Sequence, residues 1–278
     1  MRKLIACIGV CLLLVSCIGK KSPAPAAPPA APAFPMAKVP GVISDPAEAA
    51  AWMASHFFDE VTTVTALDSV SLEHAMGTWA SILAAIPHEV GQQAMHGYLD
   101  HFETLPAPDA AALLNLTEKY LYDPNSPVRN EDLYGTLAKG LSTSKATPDS
   151  LRMHFAYLAD KCARNAVGTR ATDFLFSYHG RVRSLYSVEA ELLLLVFGNP
   201  ECTACRELHA SLEEMDEGIR AKVTVLEINP DEDTIAKAEL DQFYHIRAIP
   251  SMYLLDKDKV VILKDAPVER ILKYLDTM

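Results

Sequence analysis

Two kinds of periodicity divide the chain. Between Asp45 and about Asn165, apolar residues recur at steps of three or four: Ala75, Trp79, Ile82, Leu83 and Ile86, then Leu113, Leu116 and Tyr120, then Leu133, Leu137 and Leu141. That is the period of helices that bury one face. Pro87, the pair Pro106 and Pro108, and the turn Asp123-Pro124-Asn125-Ser126-Pro127 interrupt these runs, since proline lacks the donor that a helix interior requires. The pattern predicts about five helices packed as an irregular bundle over residues 45–164.

From about Asn165 the period changes. Asp173–Tyr178 and Val182–Tyr186 flank His179-Gly180-Arg181, as in a hairpin. Leu192–Phe197 is apolar throughout, as expected of a strand covered on both faces. Leu208, Leu212, Met215 and Ile219 mark one face of a helix that begins near Cys202. Val223–Ile228 reads as a second buried strand and Ile235–Phe243 as a second helix. Met252–Leu255 and Lys259–Leu263 straddle Asp256-Lys257-Asp258 as another hairpin, and Val268–Leu275 closes the chain as a helix. Residues 165–278 thus follow the order βαβαββα, with an extra hairpin in front.

The N-terminal residues match neither pattern. Arg2 and Lys3 precede an apolar run, Leu4–Val15, that is too short to span a bilayer as a helix. Residues 1–16 read as a signal peptide. Leu14-Val15-Ser16-Cys17 resembles a bacterial lipobox, which implies cleavage before Cys17 and a lipid on that cysteine; an ordinary signal peptide containing cysteines is the alternative. The linker, 17–44, holds seven prolines and seven alanines within residues 23–40. Such a stretch is expected to be an extended spacer rather than a packed element, reaching about 55 Å at roughly 3.1 Å per residue.

Half of the 278 residues are hydrophobic and 22% are charged, which excludes a disordered chain. The formal charge is −11. Five of the 25 basic residues precede the first acidic one, Asp45, so from there on 36 acidic residues face 20 basic ones. A surface this acidic argues against nucleic acid as a partner and against adhesion to an anionic bilayer. Any membrane contact is expected through the lipid alone.

Of six cysteines, Cys7 and Cys11 leave with the leader and Cys17 takes the lipid, leaving Cys162, Cys202 and Cys205. Cys202-Thr203-Ala204-Cys205 has three readings. It is too small for a four-ligand zinc site, although His209 four residues later makes a three-ligand site conceivable. It fits a structural disulfide in an exported protein. It also fits a redox pair, because the first turn of a helix offers free N–H groups and a positive dipole end to a thiolate at Cys202, and Cys205 follows one turn deeper. Cys162 continues Leu151, Phe155 and Leu158 at helical steps, as a core residue or as a regulatory or resolving thiol. Glu227 alternates with Val223 and Val225 on its strand; it is either a carboxyl tuned by apolar neighbours to relay a proton to Cys205, or a solvated strand end. No resident metal or cofactor is expected.

These residues resemble the thioredoxin family. Phe243-Tyr244-His245-Ile246-Arg247-Ala248-Ile249-Pro250-Ser251 looks like the loop before that family's cis-proline, which implies a cis Pro250 and a backbone edge at Ile249 for the substrate. Cys202 would then attack a substrate disulfide and Cys205 would resolve the mixed species. Gly168-Thr169-Arg170-Ala171-Thr172-Asp173-Phe174 resembles the opening of periplasmic thioredoxin-like and peroxiredoxin-like proteins, although the peroxiredoxin Pro-x-x-x-Thr-x-x-Cys motif is absent. Val196 stands where thioredoxins have a buried Asp, and Glu227 where they have a Lys. His245 is the histidine expected to meet a substrate.

The helical region resembles a domain of unknown function that precedes thioredoxin-like modules in envelope lipoproteins of Bacteroidota. The resemblance rests on Lys119-Tyr120-Leu121-Tyr122-Asp123-Pro124-Asn125-Ser126-Pro127-Val128-Arg129-Asn130-Glu131, read either as a well-capped turn or as a partner-binding loop. Together the resemblances imply an α/β thioredoxin fold at the C-terminal end behind an all-α helical domain. They imply a membrane-anchored periplasmic thiol–disulfide oxidoreductase acting on protein dithiols or disulfides, with an envelope electron donor or acceptor. A non-catalytic adaptor that uses the helical domain to bind a partner is the alternative. Ile18 and the pair Lys20-Lys21 follow the lipid site with no acidic residue before Asp45. By similarity to Bacteroidota sorting rules, this implies an outer-membrane position facing the periplasm.

Overall fold

The computed structural model describes residues 30–278 apart from position 236. The leader, the lipobox with Cys17 and the linker as far as residue 29 lie outside the described residues. No helix among the described residues is long and apolar enough to cross a membrane.

The helical part holds six α-helices rather than about five. They are α1 Pro46–His56, α2 Ser69–Ala85, α3 His88–Phe102, α4 Ala107–Thr117, α5 Glu131–Thr143 and α6 Asp149–Ala163. Asp45 caps α1 by accepting from the Ala47 and Glu48 N–H groups at 2.8 and 2.9 Å, with Pro46 at the first helical position. Asp68 caps α2 through Ser71, and Asn130 caps α5 through Leu133. The core is centred on Trp79, which meets Phe58 edge-on at 4.9 Å while its Nε1 donates to the Ala54 carbonyl at 3.0 Å. Between α1 and α2, Asp109 reaches in from α4 and accepts from the Val64 and Thr65 N–H groups and from both neighbouring threonine hydroxyls. A π-helical turn, Glu118–Tyr122, extends α4 and leads into the Asp123–Asn130 loop.

The linker departs from the expectation of an unpacked spacer. Phe34 is buried against Phe57 and Phe58, with ring centroids 5.4 and 5.9 Å away, and Asp68 N–H donates to the Pro32 carbonyl at 2.8 Å. One aromatic ring is sufficient reason. Burying a Phe is worth about 1.5–3 kcal/mol, which turns this end of the proline-alanine stretch into a strap on the helical core.

The C-terminal part opens with an antiparallel hairpin, β1 Leu175–Tyr178 and β2 Arg181–Ser184, turning at His179-Gly180. Next come β3 Leu192–Phe197, α7 Thr203–Glu214, the single turn α8 Glu217–Arg220, β4 Val223–Ile228, α9 Lys237–Phe243, β5 Ser251–Asp256, β6 Val261–Lys264 and α10 Val268–Leu275. The sheet runs β4-β3-β5-β6, with β3 parallel to β4 and antiparallel to β5. β3 is buried along its length because Leu193, Leu195 and Phe197 enter one core and Leu192, Leu194 and Val196 the other. Two expectations are corrected. Ile219 belongs to α8, because Asp216 caps a new helix after Glu214. β4 is an edge strand, with Thr224 and Glu227 exposed, because nothing pairs on its outer side.

Candidate functional site

β3 ends at Phe197, opposite Ser251 of β5, so the turn after β3 and the residues before β5 meet at one end of the sheet. Gly198-Asn199-Pro200-Glu201 carries the chain into α7, whose N-cap is Cys202. Cys202 and Cys205 form a disulfide. Cys202 Sγ also accepts from the Cys205 N–H at 3.1 Å, so the first sulfur sits on the open donors of the helix N-terminus. The residues are 8% and 2% exposed, so Cys205 is the more enclosed. The Ile249–Pro250 peptide bond is cis, and Ile249 remains 41% exposed.

Glu227 lies across from Val196 on β4 with its side chain 36% exposed. His209 Nε2, one turn beyond Cys205 on α7, is 3.0 Å from Glu227 Oε2. The other carboxylate oxygen lies near Gly198. A Cβ placed on Gly198 would lie 2.7 Å from Cys205 Sγ and 3.2 Å from Glu227 Oε1. Only glycine leaves this gap between the sulfur and the carboxylate open. His209 was legible as a neighbour of Cys205 at i+4, but its pairing with a residue on another strand was not.

His245 pairs with the helical part. Its Nδ1 is 3.0 Å from Oε1 of Glu131, at the start of α5 in the helical part. Around this contact lies a set of charges shared by the two parts. Lys264 Nζ is 3.6 Å from Glu131, and both side chains are 0% exposed; Lys264 also donates to the Cys162 carbonyl. Arg247 donates to the Tyr122 carbonyl and to Asp265 at 3.1 Å, and stacks over the Tyr122 ring at 4.0 Å. Arg129 Nε is 3.5 Å from Asp265, whose other oxygen accepts from Ser251 Oγ at 3.2 Å. Burial works to raise the Glu131 carboxyl, but the His245 hydrogen bond and the charges of Lys264 and Arg247 outweigh it and hold it below its ordinary value. Burial raises Asp265 despite its two arginines. The Lys119–Glu131 stretch is therefore both a capped turn and the docking loop of the thioredoxin-like part. Cys162 is buried beside this cluster, and burial pushes its thiol far above the ordinary range.

The sheet order, the cysteine pair at a helix N-terminus and the cis-proline define a thioredoxin-like domain, and residues 184–278 match the family described as a thioredoxin-like domain. Residues 16–165, more than half of the chain, match a family described as a domain of unknown function (DUF5106), and the chain belongs to that family. A crystal structure of a thioredoxin-like protein from Bacteroides caccae is similar to 88% of this chain and 98% of its own, at 28% identity and a TM-score of 0.72, so the two-part architecture recurs there. The C-terminal domain of an uncharacterised protein from Bacteroides fragilis is 35% identical over 41% of this chain and 99% of its own, with a TM-score of 0.36. A domain of a possible thiol-disulfide isomerase from Cytophaga hutchinsonii is 24% identical over 41% of this chain and 94% of its own, with a TM-score of 0.32. No match was found among curated proteins.

Proposed function

We propose that this chain is a thiol–disulfide oxidoreductase, tethered through lipidated Cys17 to the periplasmic side of the outer membrane. The observation that carries the reading is the Cys202–Cys205 disulfide at the N-terminus of α7, in a chain whose Ile249–Pro250 bond is cis. In the reductive direction the Cys202 thiolate attacks one sulfur of a substrate disulfide. A Cys202–substrate disulfide forms and one substrate thiolate leaves. Cys205, deprotonated, then attacks Cys202 Sγ, closing the internal disulfide and releasing the second substrate thiolate. Two electrons pass to the substrate, and a dithiol donor in the envelope returns the pair to its reduced form. Run backwards, the same steps oxidise a substrate dithiol.

The second step requires Cys205 to lose a proton in an enclosed position. Glu227 takes that proton across the gap at Gly198, and His209 holds the carboxylate toward it. Cys205→Ser is expected to accumulate mixed disulfides through Cys202, whereas Cys202→Ser traps few; equal trapping by both would overturn the assigned roles. Glu227→Gln is expected to slow resolution of a preformed mixed disulfide while leaving the first attack nearly unchanged, and rapid acid quench separates the two steps. Cys17→Ser should move the protein out of the membrane fraction. The adaptor reading draws support from the amount of buried charge joining the helical part to the Arg247 loop. An insulin-reduction assay decides between the two, since an adaptor reduces nothing.

A further inference from the structure

A groove of about 510 Å³ lies beside the first turns of α7, and the helical part supplies one of its walls. Pro124, Asn125 and Arg129 of the docking loop face Ala204 and Glu207 of α7 and Val268 and Glu269 of α10, over a floor of Ile249, Pro250 and Met252. Ala204 lies between the two cysteines in sequence, so the groove adjoins the helical turn that carries the pair, although neither cysteine lines it.

We propose that this groove binds an extended segment of a substrate protein with a cationic side chain next to its cysteine, and that the Asp123–Asn130 loop and the two groove carboxylates select it. The proposal rests on the oxidoreductase reading and adds to it the class of segment chosen and the domain that chooses. The first support is the floor. Among the described residues, neither Ala248 nor Ile249 has a backbone hydrogen-bond partner, so this strip is open to pairing with an added extended chain. Ile249, Val268 and Leu272 meanwhile offer apolar surface to alternate side chains. The second support is charge. Arg129, the groove's basic residue, is buried and placed against Asp265. Glu207 and Glu269 are exposed and have no ion-pair partner among the described residues. The unspent charge of the groove is therefore negative, and a Lys or Arg beside the substrate cysteine complements it. The third support is the wall itself. Without the docking loop this face of the thioredoxin-like part would be open on one side, so the helical part converts a surface strip into a groove with a shape.

The test compares two labelled peptide disulfides of identical length, one with lysines and one with glutamates flanking the cysteine, with hydroxyethyl disulfide as a small uncharged substrate for the full reduced chain. The lysine peptide should be reduced at least tenfold faster than the glutamate peptide at low salt, with the difference shrinking as salt rises. Glu207→Lys with Glu269→Lys should reverse the preference, while Glu89→Lys on α3, outside the groove lining, should leave it in place. Asn125→Trp should lower both peptide rates at least tenfold more than the rate with hydroxyethyl disulfide. Equal peptide rates, or a preference moved as much by Glu89→Lys, would overturn the proposal. If no disulfide is reduced at all, the oxidoreductase reading falls by itself. The groove is then judged by fluorescence anisotropy of the same lysine peptide with serine in place of cysteine. Binding weakened by Glu269→Lys supports it, and no binding overturns it.

Discussion

The loop before Pro250 lies between two regions of opposite design. On one side, the interior around Cys202 and Cys205 is apolar, with the His209–Glu227 pair and the gap at Gly198 at its edge. On the other side, Glu131, Lys264, Arg247, His245, Arg129 and Asp265 are packed together at the junction of the two parts. A redox pair must gain and lose protons as it turns over, so its neighbours have to tolerate either charge state. A junction needs the reverse. Its charges stay fixed, and each is costly to strand without its partner. On the proposed reading, the contrast leaves chemistry to the apolar face and registration of the two parts to the charged one.

The largest effect is expected from removing the centre of the charged region. Glu131→Ala leaves Lys264 buried without its counter-charge and His245 without its acceptor and should cost about 3–5 kcal/mol in urea unfolding, while the redox midpoint of the cysteines stays close to its original value. A loss below about 1 kcal/mol would mean that the junction is not held by charge. Gly198→Ala strikes the other region. The added Cβ must displace Cys205 Sγ or Glu227, at about 1–3 kcal/mol, and because a free thiol can move aside more easily than a disulfide, the oxidised form should suffer more. The pair should become easier to reduce in a glutathione titration, and an unchanged equilibrium would argue that the gap is adaptable.

Acid separates the parts in another way. Four hydrogen bonds from the Val64 and Thr65 N–H groups and the Thr63 and Thr65 hydroxyls hold the Asp109 carboxyl down at about 2. A depressed carboxyl contributes stability that is present above its unfolded value of about 3.8 and is lost as pH falls through the folded one. Tryptophan fluorescence, reporting on Trp52 and Trp79, should therefore show the helical part weakening between about pH 4 and pH 2, and Asp109→Asn should flatten that slope. The smallest effect is expected at Cys162. Its thiol is buried and pushed upward, so in the reduced protein iodoacetamide should label Cys202 and spare Cys162, and Cys162→Ser should leave the redox equilibrium unmoved.

Elements whose pattern reports on a local environment were legible in advance. Leu192–Phe197 and Val268–Leu275 carry their burial on their own side chains and appear where the periodicity places them. Properties set by distant partners were not legible. The hydrophobic content of Val223–Ile228 resembles that of a central strand, and only the sheet order makes it an edge. Phe34 disappears into the average of a proline-alanine stretch, yet one ring docks that stretch. The cysteine pair could be read because its chemistry lies within four residues. The pairing of His209 with Glu227 spans two elements, and that of His245 with Glu131 spans both parts of the chain. Periodicity carries no information about either.

Asp265 has a consequence for how fast a partner can be engaged. Through one carboxylate it holds Arg247 at 3.1 Å and Ser251 at 3.2 Å, the residues immediately flanking Ala248-Ile249-Pro250. Those three residues are therefore tied down at both ends. Ordering a free backbone costs about 1–2 kcal/mol per residue, and here most of that entropy has been surrendered at folding rather than at encounter. On the proposed reading the strip would serve as a template, and an incoming chain would supply only its own ordering. Loosening the brace with Asp265→Asn would shift that cost to the moment of contact, slowing association with large flexible partners while sparing small ones.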